Sequence, residues 1–499
     1  MALIGVEDNA LQCTVPIIAR VYLLRLALIL TLGLTQCALG DLQRQVESIV
    51  ANSKLNHGRV GICIIDTSTN ETLVEIHAND SMIPASNQKL LTTGAALHVL
   101  GPSFSFQTKL LQDGKNLIVV GDGDPTLGDT ELGGITDWSN EQSMLDAELK
   151  PWINAVKNAG IQSVDTLYID DRIFDQNFVH PSWPADQINH WYCAQVSGIN
   201  YHLNVVHFFP SPIRGTKANL GNIAPHMPWL TIKNNTTSKT GQKASSSFWV
   251  ARPPNSNNLT ARGNVKTAHT KPVKVAIHDP AMIFGNTLAT ALRANGISVS
   301  QIKRVSTSAP PSQGKKLYVR TTPISDALLR SNRDSYNLYA EVLLKRLAAL
   351  ATGRPGTFDE GATVVEAAVT QRLSSNQHLT VADGSGMSRN NRVSPTTLAR
   401  WLASFNIEEP TGNTLLRSLA TPGTGTLRSR FKDMQFDGAT IYAKSGYLRG
   451  VCTLSGYIVF ENGRLPLVFS ILVNEIKGTV KGAKKMQERI VFAAFVEAR

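Results

Sequence analysis

The apolar positions of the chain repeat with two periods, which separate predicted strands from predicted helices. Short apolar or alternating runs predict a hairpin over 59–77, strands near 108–112 and 116–120, and further strands at 441–443, 452–460 and 465–473. Helical spacing predicts helices from Ser86 to Gly101, over 279–296, 323–329 and 338–350, and from about Lys481 onward. This order favours an α+β fold with a mainly antiparallel sheet.

The first forty residues are mostly apolar and end in Ala38-Leu39-Gly40. Such a pattern is typical of a secretory signal peptide, so we predict that residues 1–40 are removed. We therefore expect export to the periplasm or another extracytoplasmic space. Lipidation at Cys37 is an alternative, although Gln36 stands where lipoprotein signals have a small residue.

The distribution of charge sets the middle of the chain apart from the rest. The formal net charge is +11, and such an excess favours contact with anionic surfaces or polymers. Between Asp186 and Asp279 there are ten Lys or Arg residues and no Asp or Glu, which predicts a separate basic, β-rich module at about 187–278. Two interpretations remain open, a solvated β module and an anchor for an anionic wall polymer or membrane surface. We expect no nucleic-acid partner.

Three cysteines remain after residue 40, namely Cys63, Cys193 and Cys452. An odd and sparse set does not predict a disulfide framework. Cys63 and Cys452 lie in strand-like runs, so we expect them to be small buried apolar residues.

Four histidines in the middle of the chain suggest a metal site at first sight, namely His180, His190, His202 and His207. Their spacing matches neither H-E-x-x-H nor a paired C-x-x-C. We therefore interpret them as surface or hydrogen-bonding histidines, and we expect neither a metal nor a cofactor.

The stretch IPASNQKLLTTGAALHVLG, residues 83–101, offers a candidate nucleophile. Ser86 precedes the predicted helix, and Lys89 projects from the same face one turn later. A partly desolvated lysine beside a serine can lose its proton near neutral pH and act as a general base. Taken alone, Ser-x-x-Lys is common by chance, and Ser86 could simply cap the helix beside an exposed Lys89.

Two later motifs favour the catalytic interpretation of Ser86 and Lys89 over the capping one. Ser335-Tyr336-Asn337 lies between two predicted helices, and Lys444-Ser445-Gly446 ends a predicted short strand. The combination of S-x-x-K, S-x-N and K-T-G motifs is the signature of β-lactamases and penicillin-binding proteins. From Ser86 to Ser335 the chain runs 249 residues, more than one compact domain of this kind needs between the two motifs. A large insertion between them is therefore predicted.

Together with GDGDPTL, VADGSGMSRNNRVSP and GTGTLRSRF, these motifs make the chain resemble the class C low-molecular-mass penicillin-binding proteins, the D-alanyl-D-alanine carboxypeptidase/endopeptidase family. The resemblance implies a β-lactamase/transpeptidase-like domain split by an insertion of one or two β-rich domains. The expected division is a signal peptide at 1–40, transpeptidase-like parts at 41–108 and 320–499, and inserted domains at 109–319. Two departures are Tyr336, where the family usually has Asp, and Ser445, where it usually has Thr.

The resemblance also implies the reaction and its participants. We expect a serine D-Ala-D-Ala carboxypeptidase that acts on peptidoglycan stem peptides and is acylated by β-lactam antibiotics, with D,D-endopeptidase action left open. The implied catalytic residues are Ser86 as nucleophile, Lys89 as base, Ser335 as proton relay, Asn337 as a holder of substrate or of Lys89, and Lys444 as a positive charge that depresses the pKa of Lys89.

The implied substrate-binding residues lie on the third motif and in the insertion. Ser445 would bind the terminal carboxylate, Gly446 would shape the turn, and the N–H groups of Ser86 and Tyr447 would form an oxyanion hole on an edge strand. Asp186, after Trp183-Pro184, would read the third residue of the stem peptide.

Two rival functions remain. A serine β-lactamase would use the same Ser86 and Lys89, but the segment around Glu341 lacks E-x-x-L-N, and the long insertion argues against it. A non-catalytic wall-binding protein would keep the fold, yet all five catalytic residue types are present.

Overall fold

A computed structural model describes residues 41–53, 55, 57–374 and 379–499 of the 499-residue chain. The predicted signal peptide, with Cys37, lies outside the described residues. Within the described ranges, every helix is too short or too polar to cross a bilayer.

The described residues form helices and strands in a mixed order. The helices are α1 (41–51), α2 (Gln88–Leu100), α3 (Glu141–Asn158), α4 (Pro280–Ala294), α5 (Ile324–Asn332), α6 (Asn337–Thr352), α7 (Phe358–Leu373), α8 (Pro395–Ala403), α9 (Pro410–Arg417) and α10 (Lys481–Ala498). The strands are β1 (Arg59–Asp66), β2 (Glu71–Ile76), β3 (Ser105–Asp113), β4 (Asn116–Val120), β5 (Ser163–Asp170), β6 (Val205–Phe208), β7 (Ile232–Thr237), β8 (Trp249–Ala251), β9 (Leu259–Asn264), β10 (Val273–Ala276), β11 (Ser298–Arg304), β12 (Lys315–Pro323), β13 (Ala439–Leu448), β14 (Val451–Phe460) and β15 (Leu467–Asn474).

The first sheet is antiparallel and is built from both ends of the described chain, in the order β13-β14-β15-β1-β2. Its central strand β15 has the sequence LVFSILVN and is buried at all eight positions, as expected for a strand covered on both faces. On one face, Val46 of α1 and Phe495 of α10 belong to the apolar core, and on the other face the core includes α2 and α5 to α8.

The second sheet lies wholly between Ser86 and Ser335. Its order is β11-β5-β4-β3-β12, and the pairs β4–β5 and β5–β11 are parallel. Trp152 of α3 and Phe284 of α4 pack with this sheet in a core of their own. Two smaller sheets, β7-β9-β8 and β6-β10, follow in the basic segment. The inserted residues therefore have a sheet and a core that are separate from those of the first sheet.

The predicted α+β class is confirmed. The hairpin at 59–77 and the helices that start near Ser86, Asp279 and Lys481 occur where the apolar periods place them. Strand β3 begins at Ser105 and β12 ends at Pro323, a few residues outside the predicted insertion of 109–319, and the division into domains remains a prediction.

The third motif was predicted to end a short strand, but it lies inside a longer one. Strand β13 continues to Leu448 because each residue of the motif pairs with β14, up to Leu448 opposite Val451. Lys444, Ser445 and Gly446 are therefore internal strand residues with alternating sides.

Cys63, Cys193 and Cys452 are buried with free thiols, as the sequence predicts for Cys63 and Cys452. Burial raises the pKa of Cys63 and of Cys193 to about 12, which keeps both groups as thiols.

Candidate active site

Ser86 lies in a short 3-10 helix, Ala85–Asn87, that runs directly into α2. Helix α2 is buried from Gln88 to Leu97 on all sides, because its apolar, Thr and Gly side chains meet α5 to α9 and the first sheet. Ser86 itself stays partly accessible, whereas Lys89 has no exposed surface. The helix predicted after Ser86 thus serves as the central support of the site.

The amine of Lys89 contacts three uncharged oxygens. Its Nζ lies 2.8 Å from Asn337 Oδ1, 2.8 Å from the backbone carbonyl of Ser385 and 3.2 Å from Ser86 Oγ. Two of these partners can only accept, and the Ser86 hydroxyl can also donate. A neutral amine with two N–H groups and one lone pair satisfies all three, with the lone pair directed at the Ser86 proton.

Burial lowers the pKa of Lys89 to about 8, against the opposing charges of Glu341 and Asp383. At pH 7 about one tenth of Lys89 is therefore uncharged, far more than for an ordinary lysine with a pKa of about 10.4. We predicted two causes of this shift, partial desolvation of Lys89 and the charge of Lys444, and desolvation is its first cause in the structure. The charge interaction between the two lysines acts on Lys444 instead.

Lys444 is also fully buried, and its Nζ donates to Ser335 Oγ at 2.8 Å and to the carbonyl of Ser445 at 2.7 Å. Burial, and then the charge of Lys89, hold its pKa well below the usual range, with Asp334 opposing. Ser335 sits between α5 and α6 with φ of 64°, a left-handed conformation that is rare outside glycine. The loop is therefore held so that the Ser335 hydroxyl meets Lys444.

Asn337 is the first residue of α6 and connects the site with the insertion. Its Oδ1 accepts from Lys89, and its Nδ2 donates to the backbone carbonyl of Tyr192 at 2.8 Å. Tyr192 belongs to the inserted residues and was not expected at the site. No motif signals a backbone carbonyl, so the sequence held no indication of this contact.

The segment Asp383–Arg389 packs against the site. Besides the Ser385 carbonyl, it offers the N–H groups of Gly384 and Ser385, which donate to Glu341 at 2.8 Å each. Gly386 has φ of 81°, and a Cβ there would lie 1.8 Å from the carbonyl of Ala85. Only glycine permits this approach beside the nucleophile.

Strand β13 forms the edge of the first sheet next to Ser86. A Cβ on Gly446 would lie 2.9 Å from the backbone N of Ser86 and 2.2 Å from Thr453 Oγ1, so glycine is required here too. Ala443 of this edge strand forms an isolated β-bridge with Ala420. Tyr447 is 61% exposed, which marks the accessible end of the strand.

Tyr336, the departure within the second motif, points into the insertion. Its hydroxyl donates to Glu131 Oε2 at 2.6 Å and accepts from Lys274 Nζ at 2.8 Å, and the Arg330 guanidinium carbon lies 4.2 Å from its ring centre. Burial alone would raise the pKa of Glu131, but Lys274 and these hydrogen bonds lower it to about 2. Glu131 of the insertion thus places a carboxylate beside Tyr336, the middle residue of the motif.

Asp186 lies on the exposed 3-10 helix Ala185–Gln187, and no described hydrogen bond or ion pair joins it to the other predicted site residues. The preceding Trp183 donates from Nε1 to Asp383 Oδ2 at 2.8 Å, which anchors this segment beside the site. Burial and the nearby charges of Cys193 and Asp186 raise the pKa of Tyr192. Asp186 is therefore at the rim rather than in the centre.

The four histidines are not all on the surface. His190 is exposed, but His180, His202 and His207 are buried, so the surface interpretation is wrong for these three and the hydrogen-bonding interpretation holds. His202 and His207 meet Glu141 in the insertion, a group with ligand atoms suited to a metal ion. The sequence spacing could not show this group, because Glu141 is 61 residues away from His202.

Comparisons with known proteins were made over the whole chain. Residues 42–495 match the family model of the D-Ala-D-Ala carboxypeptidase 3 (S13) family. The chain is 29% identical over 470 residues to a D-alanyl-D-alanine carboxypeptidase of an Actinomadura species, which covers 88% of this chain and 82% of the relative. It is 25% identical over 430 residues to the D-alanyl-D-alanine carboxypeptidase DacB of Haemophilus influenzae, covering 82% and 84%.

Among solved structures, penicillin binding protein 4 (dacB) from Haemophilus influenzae superposes with a TM-score of 0.75 at 20% identity. The match covers 90% of this chain and 99% of the other. At this level of identity, the likeness concerns the fold, and the fold is shared over nearly the full length.

Proposed function

Because the chain belongs to the D-Ala-D-Ala carboxypeptidase 3 (S13) family, we propose that Ser86 is the nucleophile of its serine D-Ala-D-Ala carboxypeptidase reaction. The observation that carries this assignment is the pairing of Ser86 with Lys89. The lysine is completely buried, its amine lies 3.2 Å from Ser86 Oγ, and its pKa is lowered to about 8. These are the conditions under which an amine acts as a general base.

In the first step, Ser86 Oγ attacks the carbonyl carbon between the two terminal D-alanines. Lys89 takes the hydroxyl proton as the C–O bond forms. The C–N bond then breaks, the proton passes to the amine of the departing D-alanine with the Ser335 hydroxyl as relay, and an acyl-enzyme remains. Ser335 is suited to this because Lys444 donates to its oxygen at 2.8 Å and leaves the hydroxyl hydrogen free to move.

The negative charge that develops on the carbonyl oxygen is held by the N–H groups of Ser86 and Tyr447. Gly446 supports this role, since its close approach to the Ser86 N brings the accessible end of β13 to the nucleophile. An oxyanion-hole donor typically contributes about 3 kcal/mol to the barrier reduction. The same free strand edge allows the substrate backbone to pair with β13.

The terminal carboxylate of the substrate is bound by Lys444 and the Ser445 hydroxyl. A carboxylate beside Lys444 favours the charged amine, so substrate binding raises the lowered pKa of that group. Asn337, held between Lys89 and the Tyr192 carbonyl, orients the base and the substrate amide. Asp186, at the rim, is the proposed contact for the third residue of the stem peptide.

Hydrolysis of the acyl-enzyme completes the cycle, with water attacking the ester carbonyl and Lys89 again accepting a proton. A β-lactamase would need a dedicated carboxylate base for fast deacylation. Glu341 is unsuited to that task, because both of its oxygens accept backbone N–H groups at 2.8 Å and it has no exposed surface. Slow deacylation of a penicilloyl adduct is therefore expected.

Fluorescent penicillin tests this proposal directly. We expect a persistent adduct that peptide mass spectrometry locates on Ser86, and release of D-alanine from a stem pentapeptide. Ser86→Ala should lose both, and Ser81→Ala, at an exposed position nearby, should keep both. Rapid penicillin turnover would favour the β-lactamase, and absence of both adduct and D-alanine release would favour the non-catalytic wall-binding protein.

The substrates and location follow from the same chemistry. We propose peptidoglycan stem peptides as substrates, β-lactams as covalent inhibitors, and an exported, extracytoplasmic location where those polymers occur. Mass analysis of muropeptides after digestion distinguishes the two D,D-activities. Loss of one terminal D-alanine marks a carboxypeptidase, whereas cleavage of cross-linked dimers marks an endopeptidase.

The role of the basic module at 187–278 is a separate proposal, contact with an anionic wall polymer or membrane surface. Two of its ten cations serve the fold instead, because Lys274 pairs with Glu131 and Arg252 is buried. Exposed cations remain at Lys217, Lys233, Lys239 and Lys243. Replacement of these four by Glu should weaken binding to cell-wall sacculi or anionic vesicles at low salt, and unchanged binding would show that the module is not an anchor.

A further inference from the structure

The insertion contains a second group of buried ionisable side chains, separate from the active site. Glu141 is the first residue of α3, His202 lies in the turn before β6, and His207 is part of β6. All three are 1% exposed or less, and one ligand atom of each lies within 4.8 Å of the other two. The reaction proposed above uses none of them.

The hydrogen bonds of His202 determine which of its nitrogens carries a proton. Its Nδ1 lies 2.9 Å from the carbonyl of Val205, which can only accept, so Nδ1 is the protonated nitrogen. In the neutral ring, Nε2 then has a lone pair, and it points at Glu141 Oε1, 3.1 Å away. A lone pair facing a carboxylate needs a cation between them, either a proton or a metal ion.

His207 faces the same carboxylate. Its Nδ1 lies 2.9 Å and 3.0 Å from the two oxygens of Glu141, and the two imidazole rings are 4.4 Å apart. Its Nε2 has no hydrogen-bond partner among the described residues. Two imidazoles thus converge on one buried carboxylate, and two imidazolium ions so close together would repel each other.

The backbone that presents His202 is strained. His202, Leu203 and Asn204 have φ of 51°, 58° and 56°, three consecutive left-handed residues without a glycine. Such conformations are costly and persist where the surrounding structure enforces them, often at functional sites. The Asn204 side chain helps to enforce them by donating to the Gln195 carbonyl and to Asn200 Oδ1, 2.7 Å each.

We propose that Glu141, His202 and His207 bind a divalent transition-metal ion, with Zn²⁺ as the expected ion. The ligand atoms are His202 Nε2, His207 Nδ1 and the Glu141 carboxylate. Two imidazoles with one carboxylate match the ligand types that zinc prefers and leave a further coordination position. The bond from His202 Nδ1 to a backbone carbonyl is the outer contact that orients a metal-ligating histidine.

The surroundings are compatible with a bound cation. Lys274, whose charge acts on His207, is already paired with Glu131. A surface cavity beside α3 is lined by Trp138, Glu141, Gln142, Phe209 and His226, so Glu141 borders both this cavity and the two histidines. Trp138 packs edge-on against His207, with ring centres 5.6 Å apart.

A bound ion would stiffen the connection between the insertion and the active-site loop. Thr130 Oγ1 donates to Glu141 Oε1 at 3.0 Å, and the adjacent Asp129 accepts from Arg330 Nε at 2.8 Å. Arg330 belongs to α5, immediately before the loop that holds Ser335. The expected effect is therefore greater thermal stability, with a smaller effect on the acylation rate.

The test uses the full chain after treatment with a chelator and dialysis. Isothermal titration with Zn²⁺ should show one saturable site, and Zn²⁺ should raise the melting temperature. His207→Gln and Glu141→Gln should lose both responses. The control His98→Gln, at an exposed histidine at the far end of α2, should keep both.

X-ray absorption spectra of the zinc-loaded wild-type chain provide a measurement that does not depend on the variants folding. Two imidazole nitrogens and a carboxylate oxygen in the first coordination sphere would support the site. No saturable Zn²⁺ binding by the wild-type chain, or binding that persists in both His207→Gln and Glu141→Gln, would overturn it. Either result would leave Glu141 and the histidines as a hydrogen-bonded ion pair.

Discussion

Buried cations have different partners in the catalytic cleft and in the contact between the insertion and the first domain. In the cleft, Lys89 and Lys444 are fully buried, and their hydrogen bonds go only to neutral oxygens. In the contact with the insertion, Arg330 is 3% exposed and bonds the carboxylates of Asp129, Glu131 and Asp334. Within the insertion itself, Arg320 of β12 likewise pairs with Asp124 and Glu148.

The difference in partners reverses the direction of the pKa shifts. Burial alone lowers the pKa of every buried cation, but the carboxylates around Arg330 and Arg320 outweigh it and hold both pKa values above the ordinary range. Around Lys89 and Lys444 burial prevails, and both pKa values fall. Compensated cations hold the insertion together and bind it to α5, and uncompensated cations can exchange protons.

Replacement of one cation of each kind should separate these roles. Lys89→Met removes the base, so acylation by penicillin should slow by about 10²–10⁴-fold. Arg320→Gln leaves the buried Asp124 without its ion pair, so it should lower the free energy of unfolding by about 3 kcal/mol in urea titrations. Its acylation rate per folded molecule should stay near that of the wild type. Similar losses of acylation in both variants would contradict the distinction.

Disturbing the close contact between β13 and Ser86 should have the next largest effect on acylation. In Gly446→Val, the added side chain would collide with Thr453 Oγ1 and the Ser86 N, and this displaces the proposed oxyanion hole. Acylation should fall by about 10²–10³-fold. Gly241→Ala has nothing within 4 Å of the added carbon and should behave as the wild type. Normal acylation of Gly446→Val would refute the assignment.

The pH profile of acylation should show the pKa of Lys89, the uncompensated lysine beside Ser86. Only uncharged Lys89 accepts a proton, so with a pKa of about 8 the rate should rise about tenfold per pH unit below that value and level off above it. Stopped-flow labelling of the free enzyme at limiting penicillin gives the profile. A midpoint near the ordinary lysine pKa of about 10.4 would mean that burial does not tune this group.

The smallest expected effect concerns Tyr336, which connects the two regions. Tyr336→Phe removes the hydroxyl that bonds Glu131 and Lys274, and hydrogen bonds to charged groups contribute about 2 kcal/mol. Unfolding free energy should fall by about that amount, while acylation drops less than tenfold. A loss of acylation as large as that of Lys89→Met would instead place Tyr336 in the chemistry.

The motifs predicted those site residues whose roles depend on their own side chains. Ser86 and Lys89 are one helical turn apart, so covalent spacing alone brings them together. Ser335, Asn337 and Lys444 were identified because their motifs accompany Ser-x-x-Lys. In the structure, hydrogen bonds join Lys89 to Ser86 and Asn337, and a separate one joins Lys444 to Ser335. Asp186 lies apart from both groups on an exposed 3-10 helix.

Contacts made by backbone atoms or by distant segments left no such signal. The carbonyls of Tyr192 and Ser385 hold Asn337 and Lys89, and any residue type has a carbonyl. The link from Tyr336 to Glu131 joins residues 205 positions apart. The pairing of His202 and His207 with Glu141 was missed for the same reason, since their spacing matches no metal motif.

The sequence by itself determined the fold class, and it predicted a large insertion and Ser86 and Lys89 as nucleophile and base, because periodicity and motif spacing are local or countable along the chain. Only the tertiary structure decided how far Lys89 is desolvated, which oxygens its amine meets, and where the insertion contacts Asn337 and Tyr336. These depend on segments hundreds of residues apart that exclude water from one another. A pKa is set by that exclusion and by the charges that remain nearby, and neither is encoded in local sequence.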